Sequence, residues 1–246
     1  VYTTLTYRAQ PGAAGGVHTL LALPIAAAAS LLLLGPALWL LGRSPGGTGM
    51  DGAFVISKGA GKATAAALWL TMLLAAAYTA ADFETFLTAA AYPRAPAGWT
   101  VLAVFLAVAL YAAFSGLEPM GRLAVYLTAA FGAGMLLLTA AVAPDIQWLN
   151  LYLPPAGEWG QVALAAGRLT LGNGELLLWL VLAGQINCAP ARPARWMIGV
   201  SSLAIGLLSF LTLTVLGGYA GARAYPVYTL MSYAQLNFFR RMDFLH

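Results

Sequence analysis

The chain has 246 residues, of which 61% are hydrophobic and only 8% charged, against roughly 25% charged in soluble domains. Water would not keep such a chain dispersed, and its formal net charge of +4 comes from basic residues scattered among short loops, which argues against a nucleic-acid partner. The two histidines, His18 and His246, form no zinc motif and no Gly-x-Ser-x-Gly elbow occurs, so a membrane enzyme is disfavoured, with no catalytic residue, metal or cofactor expected.

Crossing a hydrocarbon core takes about 20 helical residues, and apolar runs suited to this lie at residues 19–41, 64–87, 99–114, 122–142, 164–188 and 196–218. The expected fold is therefore an all-α integral membrane protein, a polytopic helical bundle of about six spans in a single transmembrane domain over residues 1–246. The first span holds Pro24 and Pro36, each of which removes a helix hydrogen bond that neighbours must compensate. A glycine-rich loop follows, then a short interfacial piece at 53–62. Residues 57–64 superficially resemble a phosphate loop, but Ile56 stands where glycine is needed and Ala63 where Ser or Thr is needed.

The second span ends in Tyr78, Asp82, Phe83, Glu84 and Thr85, with Tyr78, Asp82 and Thr85 on one helical face. Two readings fit: the acids mark arrival at the outer interface, or Asp82 and Tyr78 face the interior as part of a polar pathway. Trp99 is placed to anchor the third span at an interface. Gly116, Glu118 and Pro119 are expected to close it, and Arg122 to open the fourth span, whose Gly132 and Gly134 suit close helix packing. Pro144 and Asp145 terminate that span.

The aromatic and proline-rich stretch 147–160 reads as an outer interface, followed by a short amphipathic helix from Glu158 to Thr170. The next apolar run is cut by Gly172, Asn173, Gly174 and Glu175. Hydrocarbon cannot satisfy freed backbone groups or solvate a carboxylate, so such a break belongs where it lines a cavity or is buried in protein. The amides opening the second half-helix would form a positive pole suited to a carboxylate, and Asn173 adds an amide donor and acceptor. The alternative is an ordinary turn with the span starting at Glu175, but 175–188 alone is short for a crossing.

Arg43, Lys58, Lys62, Arg122, Arg192 and Arg195 fall on one side of alternating spans, which should be cytoplasmic. Segment 144–160 on the other side has no Lys or Arg and carries Asp145 and Glu158. Arg223, Arg240 and Arg241 run against the count, and a segment re-entering the membrane would account for them. Cys188 is the only cysteine, which rules out an intrachain disulfide and reads as a small buried residue. Neither an initiator methionine nor a signal peptide opens the chain, so sequence upstream is expected to be missing.

Tyr225-Pro226 followed by Tyr228 and Leu230, then Phe238-Phe239-Arg240-Arg241-Met242-Asp243, resembles the aromatic-Pro stretch and the Phe-hydrophobic-x-Arg-hydrophobic-acid signature of the endospore germination permeases. These are the membrane B subunits of germinant receptors, in the amino acid-polyamine-organocation superfamily. Pro45-Gly46, Gly61-Lys62, Asp82-Phe83, Pro93, Pro144-Asp145 and the glycine break before Glu175 match in order. The resemblance implies an inverted-repeat amino acid transporter fold of ten helices, here helices two to seven, with residues 219–246 as an outer loop helix leading toward the eighth. It also implies truncation at both ends.

The function so implied is recognition of a small germinant, such as an amino acid, at a broken-helix site. Gly172, Asn173, Gly174 and Glu175 would bind it, with Tyr78 and Asp82 as a neighbouring wall. The expected partners are the lipid membrane, an amino-acid-like ligand and the germinant receptor A and C subunits, and the expected location is a cell membrane, the spore inner membrane in particular. The alternatives are a proton-coupled amino acid transporter, using Asp82, Glu84 or Glu175, and a structural or inactive truncated subunit.

Overall fold

The computed structural model describes residues 16–43, 57–86, 98–151, 158–172, 191–223 and 225–234. Among these described residues there are seven α-helices and no strand: α1 (Gly16–Arg43), α2 (Lys58–Phe86), α3 (Gly98–Ser115), α4 (Leu117–Val142), α5 (Trp159–Gly172), α6 (Ala191–Leu216) and α7 (Pro226–Tyr233). Short 3₁₀ turns occupy Ala143–Asp145, Trp148–Asn150 and Gly217–Ala222. By length and composition, Lys58–Phe86, Leu117–Asp145 and Arg192–Gly221 are sufficient to cross a membrane, while Leu20–Pro36 and Leu102–Ser115 are shorter apolar helices.

Local chemistry sets the helix ends, in places differently from the sequence expectation. Ser57 caps α2, its Oγ accepting the Ala60 N–H at 3.0 Å and its carbonyl the Gly61 N–H at 3.0 Å. A serine cap satisfies donors that a helix start otherwise leaves open. Lys58 to Lys62, expected in a separate interfacial piece, therefore belong to the first turns of the long helix. At the next corner Gly116 alone separates α3 from α4, with φ +90°. Glu118 and Pro119 open α4 rather than closing α3, because a proline loses no hydrogen bond in a first turn and a carboxylate is favoured there. Arg122 meets Glu118 one turn on, with both side chains exposed, so this pair contributes little.

Hydroxyls inside apolar helices need partners that lipid does not supply. Thr71, Thr85, Thr128, Thr139, Thr170 and Thr214 each donate to the carbonyl four residues back, at 2.7–2.8 Å. Ser209 and Thr212 in α6 do otherwise: both are buried, and neither hydroxyl has a hydrogen-bond partner among the described residues.

The chain divides into two compact units. One comprises residues 1–16, 79–152 and 208–246. Within it α3 packs on α4, and Phe83 meets Phe105 with ring centroids 5.0 Å apart. The end of α6 is tied to the loop after α4. The Thr214 carbonyl, in the last turn where helices leave acceptors unpaired, accepts the Gln147 N–H at 3.1 Å and the Asn150 Nδ2–H at 2.9 Å. Gly217 then takes φ +53° immediately beyond the helix, a conformation that glycine adopts without Cβ strain. Leu208, Leu211, Val142, Val227 and Leu230 are buried in this unit.

The other unit comprises residues 17–78 and 153–207. Here Ala22 and Ala26 of α1 cluster with Val162 and Ala166 of α5, small residues that let two helices approach closely. Further along α1, Leu34 clusters with Ala194 and Ile198 of α6. A Cβ on Gly206 would lie 3.4 Å from Leu23 Cδ1, so α6 runs antiparallel to α1.

Candidate functional site

Of the six expected ligand residues, Gly172 is the last residue of α5; Asn173, Gly174 and Glu175 lie outside the described residues. The short amphipathic helix expected from Glu158 to Thr170 is present as Trp159–Gly172. Val162 and Ala166 are buried and Ala165 and Leu169 are partly buried, while Leu164 and Arg168 are exposed. Its apolar stripe thus faces α1, and its Arg168 side faces outward.

Tyr78 and Asp82 both stand on α2 within one uninterrupted helix. Tyr78 is 72% exposed and Asp82 is half-buried. Thr85, on the same face, satisfies its own hydroxyl on the Ala81 carbonyl at 2.8 Å.

A polar contact missed from the sequence lies at the head of α5. His18 is 3% exposed and its Nε2 stands 2.9 Å from Glu158 Oε2, whose side chain is 40% exposed. The approach is within ion-pair range but off hydrogen-bond alignment. It becomes an ion pair when the imidazole carries a proton. Two helical turns along α1, Thr170 Oγ1 lies 3.5 Å from the Ala26 carbonyl. Since 18 advances to 26 as 158 advances to 170, α1 and α5 are parallel. Nothing in the sequence signals this contact; the packing of Ala22 and Ala26 against Val162 and Ala166 brings His18 to the carboxylate.

The tail motif forms a second feature, in the other unit. Tyr225 precedes Pro226 at the first position of α7, where a missing N–H costs nothing. The Tyr225 and Tyr228 rings then pack edge-on against Phe86, at 5.1 and 5.7 Å. Arg223 stacks 4.5 Å above the Tyr219 ring. The Phe238 to Asp243 part of the motif lies outside the described residues. No group of three metal-ligating side chains occurs among the described residues.

Apolar helices of spanning length, packed through small residues and with hydroxyls folded back onto their own carbonyls, define an all-α polytopic integral membrane protein. The family model of the spore permeases, described as spore germination protein, matches residues 56–246. The chain belongs to that family, and is a germination-related, permease-like membrane protein. Comparison with curated proteins gives no match, and neither does comparison with solved structures.

Proposed function

We propose that this chain is a germinant-recognising permease subunit that binds a small amino-acid-like molecule at the interruption of its fifth span. The observation that carries this reading is membership of the spore germination protein family over residues 56–246. Gly172, Asn173, Gly174 and Glu175 are the proposed binding segment, held in one transmembrane domain of six spans. Freed amides there take the carboxylate of the ligand and Glu175 takes its ammonium, because a zwitterion needs both poles in a low-dielectric site. Tyr78 and Asp82 form the neighbouring wall. The subunit acts without catalysis, in the spore inner membrane, beside germinant receptor A and C subunits. Glu175→Gln and Asp82→Asn, placed in the full receptor, should each shift the amino-acid concentration giving half-maximal germination by about tenfold, as loss of a charge-assisted hydrogen bond implies. Unchanged dose dependence in both variants removes the site assignment.

A second reading, bulk proton-coupled transport of the amino acid, is favoured by the half-buried Asp82 on an apolar helix, since carboxylates at such positions serve proton relays. Uptake of labelled amino acids into proteoliposomes under an imposed proton gradient separates the two: accumulation supports the carrier, and binding without accumulation the receptor.

A further inference from the structure

The feature that the binding reading leaves unused is the contact between the heads of two parallel helices. His18 is the third residue of α1 and Glu158 immediately precedes α5. Imidazole nitrogen and carboxylate oxygen are 2.9 Å apart, with the imidazole almost wholly buried. The contact joins the head of α1 to the head of α5, so it bears on the position of α5. Below it the seam is made of Ala22, Ala26, Val162 and Ala166, with Leu21, Ala165 and Leu169 packed beside them. Apolar contacts of this kind are non-directional, whereas the polar contact at the head is made only when His18 and Glu158 stand opposite each other.

We propose that His18 and Glu158 are a positioning pair: they fix the head of α5 on α1 and thereby set where α5 delivers Gly172. This rests on the reading of 172–175 as the ligand segment. The described helix between the pair and the break is Trp159–Gly172, 14 residues, close to 20 Å of rigid rod at about 1.5 Å per residue. A shift at its head is carried to its far end with little attenuation. The charge asymmetry of the loops puts these heads on the non-cytoplasmic side, the side from which an external ligand arrives. Other charged groups on the packed elements lie elsewhere: Arg168 is exposed near the far end of α5, and Arg192 and Arg195 are exposed at the head of α6, whose Ala194 packs on Leu34 rather than near His18.

Two arms test the proposal. In the first, needing no ligand, the full chain in lipid nanodiscs is followed by amide hydrogen exchange as wild type, His18→Gln, Glu158→Gln and the double variant. Each single variant should speed exchange across residues 162–170 by about tenfold, and the double should add nothing further, the signature of one shared interaction. Unchanged exchange at 196–207 in α6 verifies that the fold is intact. Additive effects, or none, overturn the pair.

In the second arm the receptor bearing each variant is challenged with a mixture of the standard amino acids. The half-saturating concentration should rise severalfold while the maximal response stays constant, since the site is displaced rather than destroyed. If exchange shows coupling and Asn173→Ala and Glu175→Gln shift the response while His18→Gln and Glu158→Gln do not, the positioning role is overturned. If the Asn173 and Glu175 variants are silent as well, the ligand-segment reading falls and takes the positioning role with it. The exchange coupling then survives as a packing fact.

Discussion

Gly217 shows how much one backbone position decides. Its φ of +53° lets the chain leave α6 in a left-handed step, and a Cβ there would stand 3.0 Å from the Asn150 carboxamide. That carboxamide donates to the Thr214 carbonyl at 2.9 Å, so crowding it also weakens the tie between α6 and the loop after α4. Gly217→Ala should cost about 2 kcal/mol, from left-handed strain together with a compromised hydrogen bond. The check is thermal unfolding in detergent micelles; an unchanged midpoint refutes the account. Gly116, with φ +90° and open space around it, carries the strain without the clash. Neither role is visible in a chain with 27 glycines, because only the backbone path tells a corner glycine from a packing one. His18 makes the same point: its residue type was plain in the sequence, and its carboxylate partner 140 positions away was not.

At the scale of the helices, termini were set by local chemistry and faces by tertiary packing. Glu118 and Pro119, expected to close the third span, occupy the first turn of α4 instead, and Arg192 and Pro193 fall in the first turn of α6. The hydrophobic stretch marks where lipid begins and the helix simply extends beyond it. The α1–α5 seam is the clearest packing determinant: Ala22 is 0% and Ala166 4% exposed, leaving no room for a larger side chain. Ala166→Leu should destabilise by about 1–3 kcal/mol, the usual range for overpacking, and should speed amide exchange in α5 more than in α3. Equal effects on both helices would show that the seam is not where the strain falls. On the same helix Leu164→Ala, at an exposed position, serves as the control.

For the whole molecule, function depends on how the spans are oriented in the bilayer. The charge count places the loop before α2 in the cytoplasm and the turn after α4 outside. With Cys188 replaced by serine, a membrane-impermeant thiol reagent added to intact cells should label Asp145→Cys and not Ser57→Cys, both wild-type positions being exposed. Labelling in the opposite pattern inverts the topology, and with it the side of the membrane on which the heads of α1 and α5 lie.

The sequence by itself determined the class. An 8% charged, 61% hydrophobic chain must sit in lipid, backbone groups in lipid must pair internally, and helices follow. Family membership was equally legible, because Tyr225-Pro226 and the acid and proline positions are local in the chain. The run 172–175 stands out in the sequence as a chemical anomaly, since two glycines, an amide and a carboxylate contradict their apolar surroundings, and all but Gly172 lie outside the described residues. Only the tertiary structure decided that α5 runs parallel to α1, that alanines make their seam, and that His18 reaches Glu158. Those outcomes depend on which residues of distant segments share a face. Periodicity assigns faces within each helix, but pairing between helices is settled by side-chain volume and by which polar groups a given packing brings together.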